Sequence, residues 1–161
     1  MRIGILSDTH IPVNVSSIPS VVYKYFKNCD LIIHAGDIID EEVLDELSMI
    51  AETKAVRGNM DSMKLKKILP EILEIEVEGK KIGIAHGYGP ARDVLENVKK
   101  LFKTKKDIVI YGHSHEAMNE HINGTLYFNP GSLTDVTCAP FRSLGIIEIV
   151  KGEVKAEIIK I

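Results

Sequence analysis

The chain has 161 residues, of which 45% are hydrophobic and 27% are charged, as in an ordinary globular protein. Its net charge of −3 gives no reason to expect a nucleic-acid surface, and no apolar run is long enough to span a membrane. Met1–Leu6 is too short for a signal peptide, and two cysteines make no disulfide framework. We therefore expect one cytoplasmic domain over residues 1–161, with a core of Ile, Val and Leu.

The first half of the chain alternates short apolar segments with amphipathic ones. Strands are predicted at Arg2–Leu6, Leu31–His34 and Lys54–Arg57. Helices are predicted over Ser17–Phe26 and from Asp40 onward, where apolar residues recur at helical spacing. This order is typical of a parallel sheet with helices packed on it.

The second half is richer in strands and glycine turns. A helix is predicted from Pro90, and tight turns at Gly79, Asn123-Gly124 and Lys151-Gly152. The strands predicted around them are Ile72–Val77, Lys81–Ala85, Ile108–Tyr111, Ala117–Ile122, Thr125–Phe128, Leu144–Val150 and Val154–Ile159. The expected fold class is α/β, with two packed mixed β-sheets flanked by helices.

Five of the apolar strands end at residues that can bind a metal ion. In open α/β sheets, ligands bind beyond the carboxyl ends of the strands, so these side chains are expected to meet. In extended backbone, residues two apart point the same way, which predicts a shared side for each of the two closely spaced pairs. The candidate ligands are Asp8 and His10, Asp37, Asn59, His86, and His113 and His115.

The donor set consists of two carboxylates, four imidazoles and one amide. A set without thiolates is not a structural zinc knuckle and suits Mn²⁺, Fe²⁺, Ni²⁺ or Zn²⁺. Seven ligands are more than one ion takes, but they suit two ions that share a carboxylate. Asp37 lies in the middle of the set, so we expect it to be the bridge.

The five blocks, in this order, resemble the calcineurin-like metallophosphoesterase superfamily. Residues 129–132, Asn-Pro-Gly-Ser, extend the likeness to its small single-domain bacterial and archaeal phosphodiesterases. The resemblance implies an α/β sandwich and two divalent cations, with Mn²⁺ expected and Ni²⁺, Fe²⁺ or Zn²⁺ as alternatives. It implies that Asp37 bridges one ion held by Asp8, His10 and His115 and another held by Asn59, His86 and His113.

The reaction expected from this resemblance is hydrolysis of a phosphodiester by a hydroxide that bridges the two cations. Asn59, Asp37 and His113 are the residues expected to act in catalysis. Met60 stands where many members of the superfamily carry a histidine that is a proposed acid for the leaving group. Asp61 could replace that acid, but we favour a role in orienting a ligand histidine.

Several other residues have both a functional and a purely structural interpretation. Arg57 and Arg142 are possible phosphate contacts, and Tyr88-Gly89 and residues 129–132 possible parts of the rim. His34 is predicted to be buried behind the site. His121 and the lysines near residues 99–106 are predicted to be solvated.

Two other functions compete with the hydrolase. One is a non-catalytic scaffold, as in the retromer subunit that resembles this fold and has lost metal ligands. The retention of all seven ligand positions counts against it. The other is a nuclease subunit. The chain lacks the acidic-to-basic charge asymmetry that would follow a nucleic-acid phosphate backbone. We expect a small phosphodiester as substrate and no membrane or nucleic-acid partner, with a homo-oligomer as a candidate assembly.

Overall fold

The computed structural model describes residues 1–161 and contains ten strands in two five-stranded sheets. The strands are β1 (Arg2–Leu6), β2 (Leu31–His34), β3 (Glu52–Ala55), β4 (Ile72–Val77), β5 (Lys80–Ala85), β6 (Ile108–Ile110), β7 (Met118–Ile122), β8 (Thr125–Asn129), β9 (Ser143–Val150) and β10 (Glu153–Lys160). The first sheet has the order β10-β9-β1-β2-β3 and the second the order β4-β5-β6-β8-β7. The expected α/β fold of two mixed sheets is confirmed.

Four short helices flank the sheets. They are α1 (Ser20–Phe26), α2 (Glu42–Ser48), α3 (Met63–Ile68) and α4 (Val94–Lys99), the last preceded by a 3₁₀ turn at Ala91–Asp93. None of them has the length and apolar character that a membrane crossing requires.

The core is divided into three layers by the two sheets. Alternate side chains of the central strands, such as Ile3 and Ile33 of the first sheet and Ile84 and Phe128 of the second, meet between the sheets. The opposite face of the first sheet is buried against α1, α2 and α3, and the outer face of the second sheet against α4. Because both faces of the central strands are covered, these strands are apolar without interruption.

Some predicted boundaries are wrong, for identifiable reasons. The third strand covers Glu52–Ala55 rather than Lys54–Arg57, because it pairs with β2 in the register His34 opposite Ala55. The first helix begins at Ser20, after Pro19, rather than at Ser17. Helix α3 was not predicted: it buries only Leu65, so it shows no apolar stripe.

The topology places the carboxyl ends of parallel strands from both sheets next to each other. Strands β1, β2 and β3 are parallel in the first sheet, and β5, β6 and β8 are parallel in the second. All the candidate ligands lie in the loops that leave β1, β2, β3, β5 and β6. The gap between the two sheet edges is therefore where they can meet.

Glycine and phenylalanine pair where the layers approach most closely. A Cβ built on Gly145 of β9 would lie 2.3 Å from a ring carbon of Phe128, which belongs to the opposite sheet. A Cβ on Gly83 of β5 would lie 2.6 Å from the ring of Phe102. Phe128 is fully buried, whereas Phe102 is only half-buried.

We expect Gly145→Ala to lower the free energy of unfolding by about 1–3 kcal/mol, because the buried ring of Phe128 has no space to retreat. Gly83→Ala is the matched control and should cost less, since Phe102 can shift towards solvent. Denaturant unfolding of both variants measures the difference. Equal losses, or no recovery in a Gly145→Ala/Phe128→Leu double variant, would contradict this account.

Candidate metal centre

The loops that follow β1 and β6 form the first half of the site. Asp8 Oδ1 lies 3.3 Å from His115 Nε2 and 3.9 Å from His10 Nε2. The two histidine Nε2 atoms lie 3.3 Å apart. These three side chains are close enough to hold one cation between them.

The loops that follow β3, β5 and β6 form the second half. Asn59 Oδ1 lies 3.2 Å from His86 Nε2 and 3.0 Å from His113 Nδ1. The two imidazole nitrogens are themselves 3.3 Å apart. An amide oxygen and two ring nitrogens thus converge on one point.

Asp37 lies between the two halves. Its Oδ2 is 3.3 Å from His86 Nε2 and 3.7 Å from His10 Nε2, while its Oδ1 accepts a hydrogen bond from the Met60 amide at 2.7 Å. Asp8 also approaches the second half, with Oδ1 3.9 Å from His86 Nε2. The structure therefore brings all seven side chains together, and their role as metal ligands stays a prediction.

Three of the histidines are fixed by hydrogen bonds on the nitrogen that faces away from the cluster. His86 Nδ1 donates to Ala35 O at 2.8 Å, and His113 Nε2 donates to Gly89 O at 2.9 Å. His115 Nδ1 donates to the Asp135 carboxylate. Each bond orients its ring so that the other nitrogen faces the centre of the cluster, where loss of its proton would leave a lone pair for a cation.

The carboxylates and the imidazoles of the cluster stabilise each other's charged forms. Burial opposes ionisation of Asp8, but the His115 ring, 3.3 Å away, and the nearby His86 hold the pKa of its carboxyl below the ordinary value. The adjacent Asp8 carboxylate raises the pKa of His115 to about 9. Burial lowers the pKa of His86, but Asp37 and Asp8 outweigh it and raise that pKa to about 9. Both rings are therefore ready to exchange a proton for another cation.

The two carboxylate oxygens of Asp8 differ in their hydrogen bonding. Asp8 Oδ2 accepts hydrogen bonds from Ser7 Oγ at 2.6 Å and from the His113 amide at 3.0 Å. Asp8 Oδ1 is buried, has no hydrogen-bond partner, and faces the imidazole nitrogens. A buried anionic oxygen without a donor is costly, and a cation among these oxygen and nitrogen atoms would satisfy it. The residues fit two divalent cations.

The backbone conformation at the cluster differs from the prediction. Asp8, His10, His113 and His115 have φ between 45° and 68°, in the left-handed region, as does Asp37. The closely spaced pairs therefore do not share a side through extended backbone, and His113 and His115 belong to different halves of the cluster. Such strain at five positions is typical of a functional site.

Glycine allows the loops to approach so closely. A Cβ on Gly112 would lie 1.8 Å from Ser7 Oγ, and one on Gly58 would lie 2.1 Å from Asp37 Oδ1. No other residue type fits at either position without moving a candidate ligand or its neighbour.

Asp61 supports the site in another way than expected. Its Oδ1 accepts hydrogen bonds from the Ile38 and Ile39 amides at 2.6 and 2.8 Å, and its Oδ2 accepts one from Gly58 at 2.7 Å. It contacts no ligand histidine. Asp61 instead joins the loop that carries Asp37 to the loop that carries Asn59, and both its oxygens are in use, which disfavours it as the leaving-group acid.

Two arginines, Arg57 and Arg142, are the candidate phosphate contacts. Arg57 lines a cleft beside the cluster, but its guanidinium donates to Lys66 O at 2.8 Å and pairs with Glu71. Arg142 does not line that cleft. Of the possible rim residues, Tyr88 lines the cleft, and Gly89 accepts the hydrogen bond from His113.

Residues 129–135 are a brace for the cluster rather than only a turn. Ser132 Oγ donates to Asp8 O and Thr134 Oγ1 donates to Thr9 O, both at 2.7 Å, while Asn129 Nδ2 donates to Gly112 O at 3.1 Å. Asp135, at the end of this segment, was missed by the sequence analysis. Only its position three residues after the Asn-Pro-Gly-Ser block could have indicated it.

Asp135 is itself held in its charged form. Burial opposes its ionisation, but hydrogen bonds from the Thr137 and Cys138 amides and from His115 lower its pKa to about 2. His34, as predicted, is buried behind the cluster, where its Nε2 lies 3.0 Å from Thr9 Oγ1. Burial lowers the pKa of His34 to about 3, so its ring is neutral.

Solved structures similar to this one include a phosphodiesterase and a Vps29 protein. An archaeal phosphodiesterase has 29% sequence identity and a TM-score of 0.74, with 99% of this chain and 100% of that chain covered. Vps29 from Entamoeba histolytica, complexed with Zn²⁺, has 26% identity and a TM-score of 0.74, with 99% of both chains covered.

Proteins similar to this chain in sequence are also named as phosphoesterases. A probable metallophosphoesterase of Methanocaldococcus jannaschii is 39% identical over 100% of this chain and 82% of its own length. A phosphodiesterase of the same organism is 31% identical over 95% of this chain and 96% of its own length. The family described as the calcineurin-like phosphoesterase superfamily domain matches residues 1–152. The chain therefore belongs to the calcineurin-like phosphoesterase superfamily, as the order of its ligand blocks indicated.

Proposed function

We propose that this chain is a phosphodiesterase that depends on two divalent cations, with Mn²⁺ as the native metal. The observation that carries the proposal is the convergence of seven oxygen and nitrogen donors on two adjacent points, around an unpartnered oxygen of Asp8. The relatives named phosphodiesterase support the diester as substrate.

The residues divide into two ligand groups. Asp8, His10 and His115 would hold one cation, Asn59, His86 and His113 would hold the other, and Asp37 would contact both. When bound, the two cations supply a lowered pKa for water and positive charge for the phosphoryl oxygens. The protein contributes the fixed tautomers of its histidines and two buried carboxylates that stay ionised.

Protonation of the leaving group has no obvious donor in the structure. The Met60 side chain is 55% exposed and carries no acidic proton, and Asp61 is occupied by backbone amides. The ammonium of Lys66 donates to Asn59 O at 2.6 Å and is a cation next to a candidate ligand. We infer a preference for diesters with leaving groups that depart unprotonated.

A non-catalytic scaffold is the second candidate, favoured by the similarity to Vps29. Because one Vps29 structure contains Zn²⁺, bound metal alone does not distinguish the two functions. Turnover does. We further propose that the substrate is a small phosphodiester rather than nucleic acid and that the protein is cytoplasmic, with a homo-oligomer as a candidate assembly.

The proposed function is tested with bis-p-nitrophenyl phosphate and protein reloaded with Mn²⁺, Ni²⁺, Fe²⁺ or Zn²⁺ in turn. We expect release of p-nitrophenol with at least one metal and none after chelation. A protein that takes up metal but releases no product with any of the four would instead be a scaffold.

Asp37→Ala should lose both cations and lower kcat by more than the roughly 10- to 100-fold that loss of a supporting residue costs, because Asp37 lies between the two halves. Elemental analysis and the diester assay measure the two effects. Asp45→Ala, on the exposed face of α2, is the control. Full metal content with retained activity would refute the bridging role.

Asp135→Asn should weaken Mn²⁺ affinity by about 10- to 100-fold, because His115 loses the carboxylate that fixes its tautomer. In the metal-free protein the pKa of His115 should also fall, which NMR titration detects. Asp93→Asn, an exposed aspartate before α4, is the control. An unchanged affinity and pKa would show that Asp135 only stabilises its own loop.

Met60→His should increase the rate for poor alkyl leaving groups more than for p-nitrophenolate, because an imidazole can protonate an alkoxide. The slope of log kcat against leaving-group pKa measures this. Met63→His, 71% exposed at the start of α3, is the control. A slope that does not change would refute the argument from the missing acid.

A further inference from the structure

A cleft of about 540 Å³ opens beside the candidate metal centre. It shares Asn59 and His86 with the cluster, so a molecule in the cleft would adjoin both side chains. Its volume lies within the range of sites that bind small organic molecules. The phosphoryl chemistry proposed above needs only the cluster, so the cleft has no function in that account.

The walls of the cleft combine apolar side chains from three parts of the chain. Ile72 begins β4, Tyr88 follows β5, and Leu101 follows α4. Ile72 and Leu101 are half-buried, whereas 51% of the surface of Tyr88 is exposed to solvent. The backbone beneath Tyr88 is fixed, because Asn97 Nδ2 donates to Tyr88 O at 3.0 Å. An exposed aromatic ring on a fixed backbone is a surface on which a planar group can stack.

Arg57 and Glu71 of the cleft pair with each other, and the Lys66 ammonium donates to the backbone beside the cluster. Arg57 also donates to Lys66 O, and the acceptor of the Lys66 ammonium is Asn59 O. A second phosphate group in the cleft would have to displace these contacts and approach the carboxylate of Glu71. An uncharged group leaves these contacts in place.

We propose that the cleft receives an uncharged aromatic arm of the substrate, up to the size of a nucleoside, while the phosphoryl group lies at the candidate metal centre. This inference rests on the proposed function, because the cluster must anchor the phosphoryl group for the arm to reach the cleft. It adds the substrate class: phosphoesters with a planar, uncharged ester group.

The test is a comparison of binding, which does not depend on turnover. Calorimetry with the Mn²⁺-loaded protein gives the affinity of AMP against ribose 5-phosphate, and of phenyl phosphate against methyl phosphate. We expect the aromatic member of at least one pair to bind about tenfold more tightly, from the apolar area that it buries. An advantage in the first pair alone indicates a nucleoside arm, and one in the second pair indicates a simpler aryl arm.

Two substitutions locate the advantage. Tyr88→Ala removes the ring, and Ile72→Trp fills the cleft from β4, an edge strand where an aromatic residue is tolerated. Both should abolish the aromatic advantage without weakening the binding of methyl phosphate. Tyr88→Phe should keep it, and so should Tyr23→Ala, which removes an exposed tyrosine on α1.

Equal affinities within both pairs, or an advantage that survives Tyr88→Ala and Ile72→Trp, would overturn the inference. If such a protein still hydrolyses methyl p-nitrophenyl phosphate, the proposed function stands and only the aromatic arm is lost. A protein that binds none of the four phosphates with Mn²⁺ present and also hydrolyses no diester would overturn both.

Discussion

The burial of two carboxylates, Asp8 and Asp37, is the constraint on which the rest of the site depends. An unpaired buried carboxylate is too costly to keep, so each must have positive charge or hydrogen-bond donors nearby. In the metal-free state the raised pKa values of His86 and His115 supply that charge as protons. Divalent cations would replace these protons, which ties metal affinity to pH: it should rise as the two rings lose their protons.

The fold meets this constraint by joining two sheets at their carboxyl edges. Neither sheet alone carries enough donors for two cations. Loops of the first sheet contribute Asp8, His10, Asp37 and Asn59, and loops of the second contribute His86, His113 and His115. The loops must bend sharply to aim these side chains, which explains the left-handed backbone at five of them. Asp61 and the segment 129–135 hold the bent loops with hydrogen bonds to their backbone. Much of the polar structure near the site therefore offsets strain rather than contacting substrate.

The sequence predicted most strands because the central ones are short, uninterrupted apolar runs that end at polar residues, and it indicated the seven candidate ligands because each follows such a run. It could not predict α3, which buries only Leu65. It also missed Asp135, whose contact with His115 spans 20 residues of sequence and depends on how the 129–135 segment folds. The alternation rule gave a correct grouping of Asp8 with His10 for a wrong reason, since neither residue is in extended backbone.

Metal binding alone does not distinguish a catalyst from a scaffold in this fold. A Vps29 structure complexed with Zn²⁺ shows that metal binding in this fold occurs in proteins of different names. The seven candidate ligands of this chain would be necessary for the proposed catalysis, but metal binding alone would not demonstrate it. What a catalyst needs in addition is a place for the ester groups beside the phosphoryl position. The cleft between Ile72, Tyr88 and Leu101 adjoins Asn59 and His86 and offers such a place. If the cluster hydrolyses a phosphoester, as proposed, an ester group beside Asn59 and His86 would lie in this cleft.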